Sequence, residues 1–283
     1  MKRVCFSMYV SSERYMHYIP FWIYTLTESY PESLALVSYR DILSDKVKSD
    51  ISLLGTRNFI IKEELFKDYP EFYQGYPTSK LLRWVMYHEE YEQYDYIYTG
   101  DIDILIVKQT PPFIDRQLAA CEKYRVPYGN TIWLDVPHEK VGWKMTGEHG
   151  YKRKEYLEKM LPIMDKYKIL LKNGSLIPTA YNEVTKKIDN QHFLYELMSE
   201  AGLLMPKGPD YFYEYHGVHV AHSRVPGRWD RIWDSEPLHR QYFKEFYKLT
   251  QNPIYEEMYR NTIPEIRQEI DLMMESGRRN NIV

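Results

Sequence analysis

The chain has 283 residues, 44% of them hydrophobic, and a formal net charge of −3. That leaves room for one large α/β domain or two small ones, and it excludes both a disordered chain and a generally basic nucleic-acid-binding surface. Its two cysteines, Cys5 and Cys121, exclude a disulfide framework and a zinc-type spacing, and no run approaches the ~20 apolar residues of a membrane span.

The opening MKRVCFSMYV is basic and then apolar, but it reaches Ser11 and Ser12 too early for a signal sequence, so a soluble, cytoplasmic protein is expected. Strand-like runs alternate with helical ones through the first half, the pattern of an α/β fold with a mixed, mostly parallel sheet flanked by helices. RVCFSMYV (3–10) reads as a first strand, and residues 12–30 as a helix that breaks before Pro31. SLALVSY (33–39) and NFIIKE (58–63) read as the next two strands. Residues 76–93 predict a helix with Ser79 as N-cap, Leu82, Val85, Met86 and Glu89 on one side, and Lys80, Arg83 and Tyr87 along another stripe.

YDYIYTGDIDILIV (94–107) follows at once, a β-branched and aromatic run interrupted by Gly100 and two aspartates. PPFIDRQLAACEKY (111–124) turns helical after its prolines, and VPYGNTIWL (126–134) reads as a strand. The polar, glycine-containing stretch 135–150 has the composition of a binding loop. Residues 151–171 predict a helix to about Pro162 or past it. Another spans 189–202, with Asp189 as N-cap and Gly202 as stop. GVHVAHSRVPGRWD (217–230) alternates like a strand and then turns. From about Glu236 the chain is helix-rich and ends in the basic tail SGRRNNIV. No internal repeat is present.

In an extended chain, side chains two apart share a face, so Asp101 and Asp103 can converge on one cation while Ile102 and Ile104 hold the core side. Two carboxylates leave a hard divalent ion several positions for phosphate oxygens and water. Ligands of open α/β sheets bind at the carboxyl ends of strands, and this pair lies just past YDYIYT. The segment 217–230 adds His219, His222, Arg224 and Arg228, and imidazole joins carboxylate as a ligand for Mn2+. Solvated carboxylates at a strand end, a solvated basic helix face and core histidines are the plain structural readings of the same residues.

The strand YDYIYTGDIDILIV resembles the apolar strand ending in the D-x-D motif of metal-dependent GT-A glycosyltransferases. The order of elements resembles the retaining branch of that fold: glycogenin-like enzymes, lipopolysaccharide galactosyltransferases and blood-group transferases. The resemblance covers about residues 1–235 and implies a Rossmann-like GT-A domain there, with 236–283 a helical C-terminal extension. It implies that Tyr9, Val10 and Ser11 hold the donor's base and that Lys80 and Arg83 touch the nucleotide. Asp101 and Asp103 would bind metal, ribose and diphosphate. His219 or His222 would complete the metal site, with Arg224 and Arg228 beside the diphosphate. Thr146, Gly147, Glu148 and His149 match the glycine-bearing loop under the donor sugar. Asp189, with Asn190 or Gln191, matches the pair beside the reacting carbon.

The activity implied is transfer of a sugar from a nucleotide-diphosphate sugar, of the UDP type, to a hydroxyl of a glycan or lipid-linked saccharide, with Mn2+ (or Mg2+). Amides at 190 and 191 cannot act as a base, which favours front-face retention; Glu148 is the base if the enzyme inverts. The other enzymatic reading is a nucleotidyltransferase, disfavoured because no glycine-rich phosphate loop follows the first strand. The non-enzymatic reading is a carbohydrate-binding or partner-binding module. The C-terminal segment mixes aromatics with Lys and Arg, as membrane-docking helices do, but its equal share of acids favours a packed helical cap.

Overall fold

The computed structural model describes residues 3–73, 76–130, 132–134, 143–175, 181–182, 187–188, 190–203, 217–235 and 237–283. Its first elements are β1 (Val4–Val10), α1 (Glu13–Met16), α2 (Ile19–Ser29), β2 (Leu34–Tyr39), α3 (Asp45–Ser52) and β3 (Phe59–Lys62). A short pair β4 (Phe72–Tyr73) and β5 (Tyr76–Pro77) precedes α4 (Ser79–Leu82), β6 (Tyr96–Thr99), β7 (Ile104–Ile106) and α5 (Phe113–Tyr124). Next come β8 (Tyr128–Gly129), β9 (Ile132–Leu134), β10 (Trp143–Met145), β11 (His149–Lys152) and α6 (Arg153–Lys172). The remainder is β12 (Tyr181–Asn182), β13 (Lys187–Ile188), α7 (Asn190–Glu200), β14 (Gly217–His219), α8 (Arg228–Ser235), α9 (Pro237–Thr250), α10 (Pro253–Asn261) and α11 (Pro264–Arg279).

Six strands form the main sheet in the order β3-β2-β1-β6-β11-β8. β2–β3 and β1–β6 pair in parallel, and β11 runs antiparallel to both its neighbours. Parallel pairs need crossover connections, which the intervening helices supply. The result is the mixed α/β sheet flanked by helices that the alternating sequence predicts.

The chain divides into two compact units. The first comprises Met1–Tyr9, Phe66–Gly100 and Ile114–Tyr213. Within it β1 and β6 register from Val4 opposite Tyr96 to Ser7 opposite Thr99, and β11 pairs back along β6 from His149 opposite Thr99. Helix α6 continues unbroken through Pro162 to Lys172, burying Tyr156, Leu157, Met160, Met164 and Leu171 along one side. The helix predicted over 76–93 does not form at that length. α4 stops after Leu82 with Thr78, not Ser79, in the N-cap position, and a 3-10 turn covers Glu89–Gln93. Leu81, Leu82, Trp84, Val85 and Met86 are all buried, so this contiguous apolar run is enclosed on every side rather than along a helical stripe. Lys80, Arg83 and Tyr87 therefore do not share one helix face.

The second unit comprises Val10–Leu65, Asp101–Phe113 and Glu214–Val283. Its central element is α2, buried continuously from Ile19 to Thr27, with Pro20 in the first turn where a missing N–H costs nothing. The helix packs against β2, β7, α3, α9 and α10. Ser44 and Asn252 cap α3 and α10 by accepting the Val47 and Ile254 N–H groups. The C-terminal helices close on one another: Trp233 Nε1 donates to Ser276 Oγ at 2.8 Å, and Asp230 accepts from Ser276, Arg279 and Asn280. Trp229, Trp233, Tyr242, Phe243, Phe246, Met258, Ile266, Ile270 and Met273 are buried, so their apolar faces are spent on packing. No described helix is long and apolar enough to cross a membrane.

Candidate functional site

In the second unit, the aspartate pair sits on a turn rather than in a strand. β6 ends at Thr99, β7 begins at Ile104, and Ile104 N–H donates to Asp101 O at 3.1 Å to close the bend. The expectation that Asp101 and Asp103 share a face because the chain is extended is thereby corrected. Ile102 and Ile104 are buried as expected, Asp103 is buried with them, and Asp101 is half-buried.

Sheet register places the histidines. β14 runs antiparallel to β7 with His219 opposite Ile104 and Gly217 opposite Ile106, and Val220 N–H donates to Asp103 O at 2.9 Å. The strands approach so closely that a Cβ on Gly217 would lie 2.1 Å from Leu105 O. His219 Nε2 thus lies 3.4 Å from Asp103 Oδ2. The 3-10 turn Val220–Arg224 then folds back, setting the His222 ring 4.1 Å from that of His219 in a tilted contact and edge-on to Trp229 at 5.6 Å. Burial, with His219, Arg228 and His239 nearby, lowers the His222 pKa to about 2 and keeps the ring neutral, the form that ligates metals.

Sequence reasoning missed three residues of this cluster: His239, Tyr15 and Glu269. Burial and His219 hold the His239 pKa down at about 4. Nothing local marked it, because it falls in a helix, and only the packing of that helix on β14 brings it to the cluster. Arg224 Nη1 donates to Tyr15 Oη at 2.7 Å, its Nη2 to Tyr18 Oη at 3.1 Å, and its Nε to Glu269 Oε1 at 2.8 Å. Arg14 and Tyr18 also bond Glu269, which is 4% exposed. Burial and then the Asp103 and Asp101 carboxylates push the Tyr15 phenol above its ordinary pKa, so both acids act on the same hydroxyl. Val10 is buried, its carbonyl accepting from Arg40 N–H at 2.9 Å, and Ser11 is half-buried.

Other predicted residues lie in the first unit. Tyr9 meets Phe66 edge-on at 5.8 Å. Lys80 is exposed, while Arg83 is buried with its guanidinium 4.2 Å from the Trp84 ring centroid. Thr146, Glu148 and His149 are buried. Asn130 Oδ1 accepts from Thr146 N–H at 2.9 Å, which fixes its amide orientation. Asn130 Nδ2 must then donate to His149 Nδ1 at 3.0 Å, leaving His149 Nε2 to donate to Tyr156 Oη at 2.9 Å. Burial and then Arg83 lower the His149 pKa to about 3, so this tautomer is held neutral. His149 is therefore a fully bonded part of the scaffold. Gly147 belongs to the same buried segment, Asn190 and Gln191 open α7, and Asp189 lies outside the described residues.

Two carboxylates with an imidazole beside one of them are the donor types that a divalent ion such as Mn2+ accepts. Among the described residues, no His, Cys, Asp or Glu group of three or more stands gathered for a metal ion. The fold and this cluster define a mixed α/β protein with an acid–histidine centre in one unit.

No family model and no curated protein matches the chain. Among solved structures it is similar to the galactosyltransferase LgtC in complex with donor and acceptor sugar analogs, at 13% identity and TM-score 0.38 over 73% of this chain and 98% of that one. It is also similar to the glycosyltransferase GlyE of Streptococcus pneumoniae, at 12% identity and TM-score 0.39 over 71% of this chain and 44% of that one. The bifunctional glycosyltransferase WbbM is similar at 10% identity and TM-score 0.38, over 92% of this chain and 52% of that one. Likenesses this distant establish neither family nor activity.

Proposed function

We propose that the chain is a GT-A-type glycosyltransferase that moves a sugar from a nucleotide-diphosphate sugar, of the UDP type, to a saccharide or lipid-linked hydroxyl acceptor. The catalytic part would be residues 1–235 and the helical extension 236–283. The observation that carries this reading is the strand register that sets His219 Nε2 3.4 Å from Asp103 Oδ2, with Asp101 on the same turn. Asp101, Asp103 and His219, with His222 behind it, would hold Mn2+ (or Mg2+), and an incomplete protein ligand set suits an ion whose remaining positions are filled by donor phosphate oxygens.

When bound, the ion supplies charge stabilisation for the departing diphosphate. The protein's own share is electrostatic and positional. Arg228, close enough to act on His222, is proposed beside the diphosphate with Arg224. Val10 and Ser11 are proposed for the base, as is Tyr9, and Lys80 and Arg83 for the nucleotide. Thr146, Gly147 and Glu148 are proposed for the sugar, with His149 acting through its bonds to Asn130 and Tyr156 rather than by contact. The amides of Asn190 and Gln191 cannot accept the acceptor's proton, which supports retention with Asp189 orienting the sugar.

Calorimetric titration of UDP in the presence and absence of Mn2+ tests the proposal. Wild-type protein should bind UDP only with the ion, and Asp103→Asn should lose at least tenfold in that affinity, roughly one buried charged contact. Equal UDP binding by Asp103→Asn without divalent ions would refute the assignment.

A further inference from the structure

We propose that Glu269, on the last helix, is a positioning residue for the donor's diphosphate: it holds the Arg224 guanidinium so that Arg224 and the Tyr15 hydroxyl are presented together beside the acidic turn. The inference rests on the nucleotide-sugar reading above and adds to it a residue more than 160 positions from the D-x-D turn.

Glu269 is the hub. Its side chain is 6% exposed and takes bonds from Arg14, Tyr18 and Arg224. Two guanidinium groups share one carboxylate, so Arg14, Arg224 and Glu269 together keep one positive charge, set beside the Asp101 and Asp103 carboxylates. That surplus suits an anion more than a neutral ligand. An arginine side chain has many rotamers, and anchoring all three of its guanidinium nitrogens in advance removes the entropy a ligand would otherwise have to offset. Arg224 Nε and Nη2 are spent on Glu269 and Tyr18, while Nη1 reaches Tyr15 Oη at 2.7 Å.

Tyr15 completes the device. Its oxygen accepts from Arg224, so its own proton is available for donation outward. The Arg224 guanidinium also lies 5.2 Å from the Tyr15 ring centroid, and the Tyr15 and Tyr18 rings are 5.8 Å apart, two contacts that restrain the phenol. Burial and the Asp103 and Asp101 carboxylates disfavour the phenolate, so the group remains a donor at neutral pH. A hydroxyl donor and a fixed guanidinium next to a metal-type carboxylate pair form a recognition set for a diphosphate. α11 packs directly on the 3-10 turn that carries His222 and Arg224, so the C-terminal helix reaches this set through a rigid contact.

The test uses the full chain, with UDP and Mn2+ as probes. Tyr15→Phe removes only a hydroxyl, and Glu269→Gln preserves shape while removing the charge. Each should weaken UDP binding in the presence of Mn2+ by about tenfold or more, the worth of one charge-assisted hydrogen bond. Neither should change the response to Mn2+ alone, read as the shift in melting temperature on adding the ion. A purely structural role for Glu269 would lower the melting temperature yet leave UDP affinity in the folded fraction unchanged, and would overturn the proposal. In the Glu269→Gln background, Tyr15→Phe should cost less than about threefold, because the hydroxyl is no longer held. Tighter UDP binding by Glu269→Gln would mean that the carboxylate masks Arg224 rather than presenting it, and would also overturn the proposal. If Glu269→Gln does not fold, full retention of UDP affinity by Tyr15→Phe is sufficient to reject it. Failure of wild-type protein to bind UDP with Mn2+ removes the nucleotide-sugar reading itself, an outcome distinct from wild-type binding that the variants leave intact.

Discussion

Single residues in this protein act through the bonds their neighbours leave them. Asn130 shows this most directly: its amide satisfies the Thr146 N–H and hydroxyl and sets the tautomer of His149, all in a buried environment. Asn130→Ala would leave the Thr146 N–H and His149 Nδ1 without this partner, while the Thr146 hydroxyl keeps its bond to Glu148 O, and a buried polar group left unmade costs about 1–3 kcal/mol. We expect Asn130→Ala to lose about 3 kcal/mol in urea unfolding, and a loss under about 1 kcal/mol would contradict the network as drawn. Polarity marked the stretch 135–150 as a binding loop, and the resemblance singled out Thr146, Glu148 and His149 within it. Their burial was not visible there, because Asn130, which bonds Thr146 and His149, belongs to another segment. The same holds for Arg224, expected beside a phosphate, whose bonds to Glu269, Tyr15 and Tyr18 come from segments over 40 and over 200 residues away.

At the level of elements, the acid–histidine centre is a product of one two-stranded pairing. β7 and β14 set His219 beside Asp103 only because their register is Gly217 to Ile106 and His219 to Ile104. A slip by one residue would turn every side chain to the opposite face. Gly217 makes the approach possible, since any Cβ there would collide with the Leu105 carbonyl. Gly217→Ala should therefore push β14 off β7, destabilise by about 2 kcal/mol or more, and weaken Mn2+-dependent melting shifts together with stability. A Gly217→Ala protein with wild-type stability and an unchanged Mn2+ response would show that the register is not what places His219. The individual elements were mostly readable: β1, β2, β3, α5, α7 and the helix-rich C-terminal stretch fall about where the sequence reading puts them. The long helix over 76–93 was not. Its apolar residues satisfy a helical pattern in part, yet the fold buries the contiguous run 81–86 and ends α4 after one turn.

Across the whole molecule, buried histidines tie stability to pH. His149 stays neutral in the folded protein down to about pH 3, whereas an unfolded histidine takes up its proton near the ordinary value of 6.5. Below about 6.5 the unfolded chain therefore binds more protons than the folded one, and stability falls as pH falls; above it His149 contributes no pH dependence. One such group costs about 1.4 kcal/mol per pH unit, so His149 alone should remove about 2 kcal/mol between about pH 6.5 and pH 5. His239, held down to about 4 by burial and His219, acts in the same direction. Urea midpoints at about pH 7 and pH 5 check this, and equal midpoints would mean that the histidines are not sealed from water.

What the sequence determined by itself was the set of local structures and the chemical types: strands from β-branched runs, helices from caps and periodicity, and an acidic pair followed far downstream by histidines and arginines. These follow from neighbours along the chain, which a linear text contains. Tertiary structure alone decided that the D-x-D is a turn, that His219 and not merely some histidine abuts Asp103, and that Glu269 and His239 belong with them. Those outcomes depend on strand register and helix packing between segments up to 255 residues apart, and no local preference encodes which distant side chain fills a given space.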